Sequence, residues 1–450
     1  MTAEAIPLAD QRADDPESGA GWGITAHRPP GDYTLVAALQ PHIYVEAARG
    51  LHEKVRPGMV YWMETERVEA NAKAGLVHAS PKRACGWWED AHRVLGVEPG
   101  ADVAEPYAAG PSDGALRIAS GCGYDPGSAA FRFHSAINEH TKHAMAFVRW
   151  GDNNPHCSLR QYDGVNDLWA VRDAVQRADV LHNHVGYWLL NNTGVRQRDD
   201  QLLVRHYHGS AKNGRSNLEP LFDKAKRAVV LGARLQLIAE AASFDLPMEW
   251  CPIPMPVARY RAWRDRVRRE MQWEPLVGPA TPARPFVVAH TPTNMRIKGT
   301  DVFRRVMQTL RDRKVPVASR LIHGVSLREA IARQAASDAT FDSFWLGIQG
   351  SGLQAAAMEM PVVAGDHDNR VLYEVEFGAV PYTFANDEAA LADQIERLAM
   401  DPTYRSTEAS RVARYAESVH DYAAVARRYE ATLARALGRP DVLTHPSHHV

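Results

Sequence analysis

Lys298 and Gly299 stand between an apolar run, Pro285 to His290, and a segment of helical spacing that begins at Thr300-Asp301. An ammonium on a flexible stem beside a glycine, just ahead of a helix, joins a cation to the positive end of the helix dipole and suits a bound anion. Arg296, just before it, adds a guanidinium able to grip two oxygens at once. Together they suit a diphosphate. The same residues also fit a solvated Lys-Gly turn, and no GxxxxGK[ST] occurs, so this is not a Walker loop. A second group is Gly121, Gly123 and Gly127, a GxGxxxG placed between a strand and a helix. Glycines there let backbone approach a ligand. They fit a dinucleotide site, a sugar-nucleotide cleft or simply a tight strand-to-helix turn. The second strand ends in Arg149-Trp150-Gly151-Asp152, a partial match to the acidic closing residue of a dinucleotide fingerprint. His182, His184, His206 and His208 form two pairs, and alternate residues of a strand share a face. With no Asp or Glu beside them at ligand spacing, they read as hydrogen-bond donors at strand ends and not as a metal site.

The elements that must position these groups follow a regular rhythm from Leu116 onward. Strands such as LRIASGCG, AMAFVRW, DVLHNHV, LLVRHYHGS and VVLGA alternate with helical stretches such as SAAFRFHSAINEHTKH and DLWAVRDAVQRA, and MEWCPIPMPV leaves the unit through prolines. A basic helix and a Pro/Gly linker follow, and the alternation restarts with PFVVAH, ASRLIHG, ATFDSF, MPVVAG and AVPYTF. Short apolar strands between longer helices are the pattern of parallel βαβ construction. Open parallel sheets bind ligands at the carboxyl ends of their strands, where all the residues above fall. From Asp387 to Leu437 the chain reads as nearly all helix.

The expected organisation is a flexible tail at 1–30, an extension of α/β character at 31–112 and a first α/β domain at 113–260. A linker at 261–283, a second α/β domain at 284–410, a closing helix at 411–438 and a tail at 439–450 complete it. With 450 residues, 45% apolar and 24% charged, the composition is that of a globular chain with ample cores. The net charge of −2 gives no support to a nucleic-acid or anionic-membrane partner. Four scattered cysteines without a CxxC pair suggest reduced thiols and a cytoplasmic setting. No apolar run reaches the roughly 18 residues of a bilayer span, so membrane contact would be peripheral.

The order of these pieces resembles the retaining, nucleotide-sugar-dependent glycosyltransferases of family 4. The residues that carry the likeness are the glycine-rich first turn, LHNH, HYHG, IPMPV, HTPTNMRIKGTD, DSFWLGIQGSGLQAAAMEMPVV and a helical C-terminus, over about residues 116 to 437. The resemblance implies a GT-B fold, two Rossmann-like domains facing across a cleft, here with the N-terminal segment added. It implies a UDP- or GDP-sugar as donor and no cofactor or metal, since Lys298 and Arg296 would neutralise the leaving diphosphate. It places His208 against the transferred sugar, and Gly299, Asp342, Gly347, Gly350 and Gln354 around the donor. Gly121, Gly123 and Gly127 would approach from the other domain. Leu346 and Gln354 stand where the family carries two glutamates, and Glu359 where it carries a small residue. Gln354 keeps hydrogen-bonding capacity; Leu346 does not.

The expectation is therefore a hexosyltransferase acting with retention on an unidentified acceptor. Competing readings are a catalytically lapsed GT-B protein that binds sugar or a partner, a transferase modifying nucleic acid, and a nicotinamide-dependent oxidoreductase built on the glycine loop.

Overall fold

The computed structural model describes residues 114–122, 129–149, 174–184, 189–190, 195–208, 218, 227–325, 327–365 and 369–444, together with the backbone of five strands between 33 and 78. The tail at 1–30, Gly123 and Gly127 lie outside the described residues. The five strands are β1 (Tyr33–Ala38), β2 (His42–Glu46), β3 (Leu51–Val55), β4 (Val60–Glu64) and β5 (Val77–His78). They pair antiparallel, as a sheet of order β4-β1-β5 and a β2-β3 ribbon.

The first α/β unit comprises β6 (Arg117–Cys122), α1 (Ala129–His140), β7 (Ala144–Arg149), β8 (Val180–His184), β9 (Leu202–Tyr207), β10 (Ala228–Gly232), α2 (Leu235–Ala242) and β11 (Met248–Trp250). Its sheet is parallel with order β11-β10-β9-β8-β6-β7. The sequence reading took Met248–Trp250 as the exit from the unit, but it is the sixth strand, and three residues are too few to show a period. Helix α2 also escaped that reading.

The second unit opens with α3 (Val257–Glu270) and continues through β12 (Phe286–His290), α4 (Met295–Lys298), α5 (Thr300–Asp312), β13 (Val317–Leu321), α6 (Leu327–Ala335), β14 (Ala339–Phe341), α7 (Gly350–Ala357), β15 (Val362–Ala364), α8 (Arg370–Phe377), β16 (Thr383–Phe384), α9 (Glu388–Met400) and α10 (Pro402–Tyr415). Its parallel sheet has order β13-β12-β14-β15-β16. In both sheets the first strand lies between the second and the third, so the winding direction reverses beside it. Both units are thus Rossmann-like, and each has a switch point there.

Burial follows from that construction. A parallel strand covered on both faces is apolar throughout, and all five residues of β12 are buried. One face meets Val302, Phe303, Val306 and Leu310 of α5 and Leu391 and Ile395 of α9. On the other side, Tyr260, Trp263 and Val267 form a helical stripe along α3 that joins Leu353, Met358 and Tyr415. Between those positions Arg261 and Arg264 both reach the carboxylate of Glu359. Glu359 holds φ at 56° where a glycine would be at ease, and the two arginines secure it.

After α10 the chain makes a π-helical turn at Ala416–His420 and returns as α11 (Tyr422–Leu437). Val425, Ala426, Tyr429 and Leu433 of α11 pack on Phe133, Ile137 and Leu231 of the first unit. Arg227 donates to the last carbonyls of α11, Ala436 and Leu437. The two crossings between the units run side by side. The Met255 amide donates to the His420 carbonyl at 2.6 Å, and His420 Nδ1 lies 2.8 Å from the Ile253 carbonyl. No helix among the described residues is long and apolar enough to cross a membrane.

Candidate active site

The switch point of the second unit lies between β12 and β14, and Lys298 stands above it. His290, the last residue of β12, anchors the loop. Its Nδ1 donates to the Phe341 carbonyl at 3.0 Å, which leaves Nε2 to accept from Thr300 Oγ1 at 2.8 Å. Asn294 caps α4 by accepting the Ile297 amide. Gly299 then takes φ of 75°, ending α4 and starting α5, and an added Cβ there would sit 2.7 Å from Phe344 Cβ. Glycine is required on both counts.

Because α4 is helical, residues two apart point to opposite sides. Lys298 is buried and Arg296 exposed. The structure therefore separates the two cations that the sequence reading paired. Lys298 Nζ donates to Asp342 Oδ1 at 2.8 Å, so it is a fixed ammonium and not a mobile one. Asp342 is fully buried at the end of β14. Its carboxylate also accepts from Ser351 Oγ at 2.6 Å, from the Gly352 amide at 3.1 Å and from the Gln349 amide. Burial acts to raise the Asp342 pKa. The Lys298 charge, with the hydrogen bonds from Lys298, Ser351 and Gln349, outweighs burial and holds the carboxyl below its usual range. Gly352 is tied to this packing, since a Cβ there would lie 2.4 Å from Asp342 Oδ2.

The 342–350 loop is stitched to its surroundings by backbone. Phe344 N donates to the Lys298 carbonyl at 3.2 Å and Gly347 N, at φ of 66°, to the Gly365 carbonyl at 2.9 Å. Space beside Gly350 is open. Trp345 is 58% exposed and stands edge-on to Phe344. Leu346 is half-buried and offers its carbonyl to the Gln349 side chain, while Gln354 is buried on α7.

A narrow crevice of about 40 Å³ joins the two units at this edge. Arg234, Leu235 and Trp250 line it from the first unit, and Gln349, Gly350 and Leu353 from the second. His208, at the carboxyl end of β9, is half-buried, and burial followed by the charge of Arg234 pushes its pKa down to about 3. Arg234 thus links the histidine-bearing edge of the first unit to the Gly350 edge of the second. Two Rossmann-like units meeting at such a crevice, with a last helix returning to the first, form the GT-B arrangement.

Behind His208 the first unit is lined with imidazole. His182, His184 and His206 are buried, and His184 Nδ1 lies 2.9 Å from His208 Nε2. Burial, and after it the neighbouring imidazoles, pushes His182 down to about 3 and His184 and His206 well below the ordinary histidine range. They are neutral at physiological pH. Gly121 is buried at the end of β6, the strand beside β8.

No protein-family model matches the chain, and no curated protein does. Among solved structures, the chain is similar to sucrose-phosphate synthase from Thermosynechococcus elongatus, at 14% identity over 71% of this chain and 98% of that one, with a TM-score of 0.45. It is similar to HepE from Anabaena, solved with UDP-glucose, at 12% identity over 71% and 100% of the two chains, with a TM-score of 0.48. A glycosyltransferase from Rickettsia africae gives 11%, 71%, 98% and 0.47. Likeness at this level assigns neither activity nor substrate, and the fold rests on the chain's own topology.

Among the residues the sequence reading singled out, Lys298, Gly299, Asp342 and Gly347 converge at the second switch point, with Gly350 at the adjoining crevice. His208 lies on the facing unit. Arg296 stays outside. The reading missed Arg234, Ser351, Gly352 and Trp345. Only Arg234 carried a sequence signal, as a cation two residues after a strand ending in glycine.

Proposed function

We infer that the chain is a glycosyltransferase that moves a sugar from a nucleoside-diphosphate donor to an acceptor. The observation that carries this reading is the buried Lys298–Asp342 pair at the switch point, beside a crevice whose other wall presents Arg234. Ligands of open α/β sheets sit at that position. The pair as a whole is neutral. Lys298 therefore contributes an aimed N–H donor, with the Arg234 guanidinium on the facing wall of the crevice as a second donor group. Trp345, exposed beside Gly299, offers a flat apolar face for a nucleobase.

In this reading the donor is a UDP- or GDP-sugar, with Gly299, Gly347 and Gly350 giving its phosphates room and Gln354 a ribose contact. His208 donates a hydrogen bond to the transferred hexose from the facing unit, and Arg296 guides the donor from outside. Transfer proceeds with retention on the front face, the leaving phosphate taking the acceptor proton, and no metal takes part in the transfer step. The protein works in the cytoplasm.

The test is a thermal-shift series on the full chain with UDP, GDP and inorganic phosphate, followed by donor hydrolysis and transfer assays. A nucleoside diphosphate at 100 times its Kd should stabilise the chain by about 2.7 kcal/mol. No shift with any nucleoside diphosphate overturns the reading. Binding without turnover would instead favour a lapsed enzyme, the outcome to which Leu346 and Gln354 point.

A further inference from the structure

The histidines of the first unit form a closer group than their sequence spacing implies. His182 and His184 share one face of β8, and His206 on β9 is the direct cross-strand partner of His184. The ring centroids are 4.2 Å apart for His182 and His184, 5.4 Å for His184 and His206, and 5.5 Å for His182 and His206. One ring nitrogen from each lies within 4.8 Å of the other two. Bonds of 2.0–2.1 Å to a tetrahedral zinc set nitrogens about 3.4 Å apart, so small rotations of three rings would close the set.

The hydrogen bonds decide which nitrogens are free. His206 Nε2 faces the Cys251 carbonyl at 2.9 Å. A carbonyl only accepts, so Nε2 carries the proton and Nδ1 the lone pair. His184 uses Nδ1 toward His208. The nitrogens left without a partner among the described residues are His206 Nδ1, His184 Nε2 and both of His182. Each buried polar atom left so costs about 1–3 kcal/mol. An ion at their centre would satisfy one nitrogen from each ring. The outer contacts to Cys251 and His208 are those by which metal-bound imidazoles are usually held in orientation.

We propose that His182, His184 and His206 bind one divalent transition-metal ion, Zn2+ by the chemistry of three neutral imidazoles, with His208 and the Cys251 carbonyl as positioning partners. The fourth position falls to water or hydroxide, as in other three-histidine zinc sites. The ion ties β8 to β9 beneath the crevice. With the ion on His184 Nε2, Nδ1–H must donate to His208 Nε2, which places the remaining proton of His208 on Nδ1.

The proposal is independent of glycosyl transfer, because its test reads metal and not turnover. Full-length protein is stripped with chelator, loaded with Zn2+ alone or Co2+ alone, and dialysed. About one ion per chain should remain, and the Co2+ form should show the visible bands of a tetrahedral site. His182→Phe, which keeps an aromatic ring but no ligand nitrogen, should abolish retention, and His208→Gln should weaken affinity about 10–100-fold at unchanged stoichiometry. Replacing His448 and His449 by Gln tests the histidine-rich end of the chain and should change nothing. Folded wild type that retains no ion overturns the proposal, as does full retention by His182→Phe or loss of the ion on changing His448 and His449.

Discussion

The two α/β units share one winding order and bury opposite kinds of polarity at their switch points. The first gathers neutral imidazoles beneath its crevice edge, and the second an ion pair. Burial penalises charge in both. In the second unit Asp342 stays ionised because Lys298, Ser351 and two amides surround it. In the first, no carboxylate accompanies His182, His184 or His206 among the described ligand groups, so the imidazoles remain uncharged. A buried charge persists only where a partner is built in.

Acid separates the units most strongly. His134 lies at about 4 and His182 at about 3, with His184 and His206 also depressed, against an unfolded value of 6.5. Between those values the unfolded chain binds more protons, so stability is fully present above pH 6.5 and is lost as pH falls toward 3. Each group contributes up to about 1.4 kcal/mol per pH unit in that window. Among the described residues, the second unit's sheet offers only His290, at about 4. Hydrogen exchange at stepped pH on chelator-treated, metal-free protein should show β8 and β9 opening before β12 and β14. Equal protection of both sheets down to pH 4 would break the contrast.

Removing one ion-pair partner comes next. Lys298→Ala leaves Asp342 charged and buried, and denaturant unfolding should show a loss of about 3–5 kcal/mol. Lys298→Met with Asp342→Asn, which keeps an oxygen for the Gln349 and Gly352 amides, should recover part of that stability while leaving no turnover, which separates a structural from a catalytic role. Gly352→Ala pushes on the same carboxylate and should cost about 1–3 kcal/mol, read as a lower denaturant midpoint. Arg296→Ala, on the exposed side of α4, should leave the midpoint where it is. A large drop there would mean that Arg296 shares the load assigned to Lys298.

Much of this fold was legible from the chain. The βαβ rhythm from Leu116 and its restart at Pro285 follow from apolar strands that must be covered on both faces. Gly299 could be placed between strand and helix from its neighbours alone. Short elements were not legible. Helix α4 spans Met295–Lys298 and β11 spans Met248–Trp250, too few residues for a period to emerge, yet α4 decides that Lys298 and Arg296 diverge.

Sequence alone settled the local chemistry: alternation put His182 and His184 on one face, and a lysine before a glycine marked a helix entrance. Tertiary structure alone decided the partners. Lys298 meets Asp342 across a separation of 44 residues. His206 meets His184 because two parallel strands took one register, and Arg234 faces Gly350 because the two units close on each other. Local spacing fixes the direction of a side chain, but what it meets there depends on strand register and domain packing, which arise only when distant segments come together.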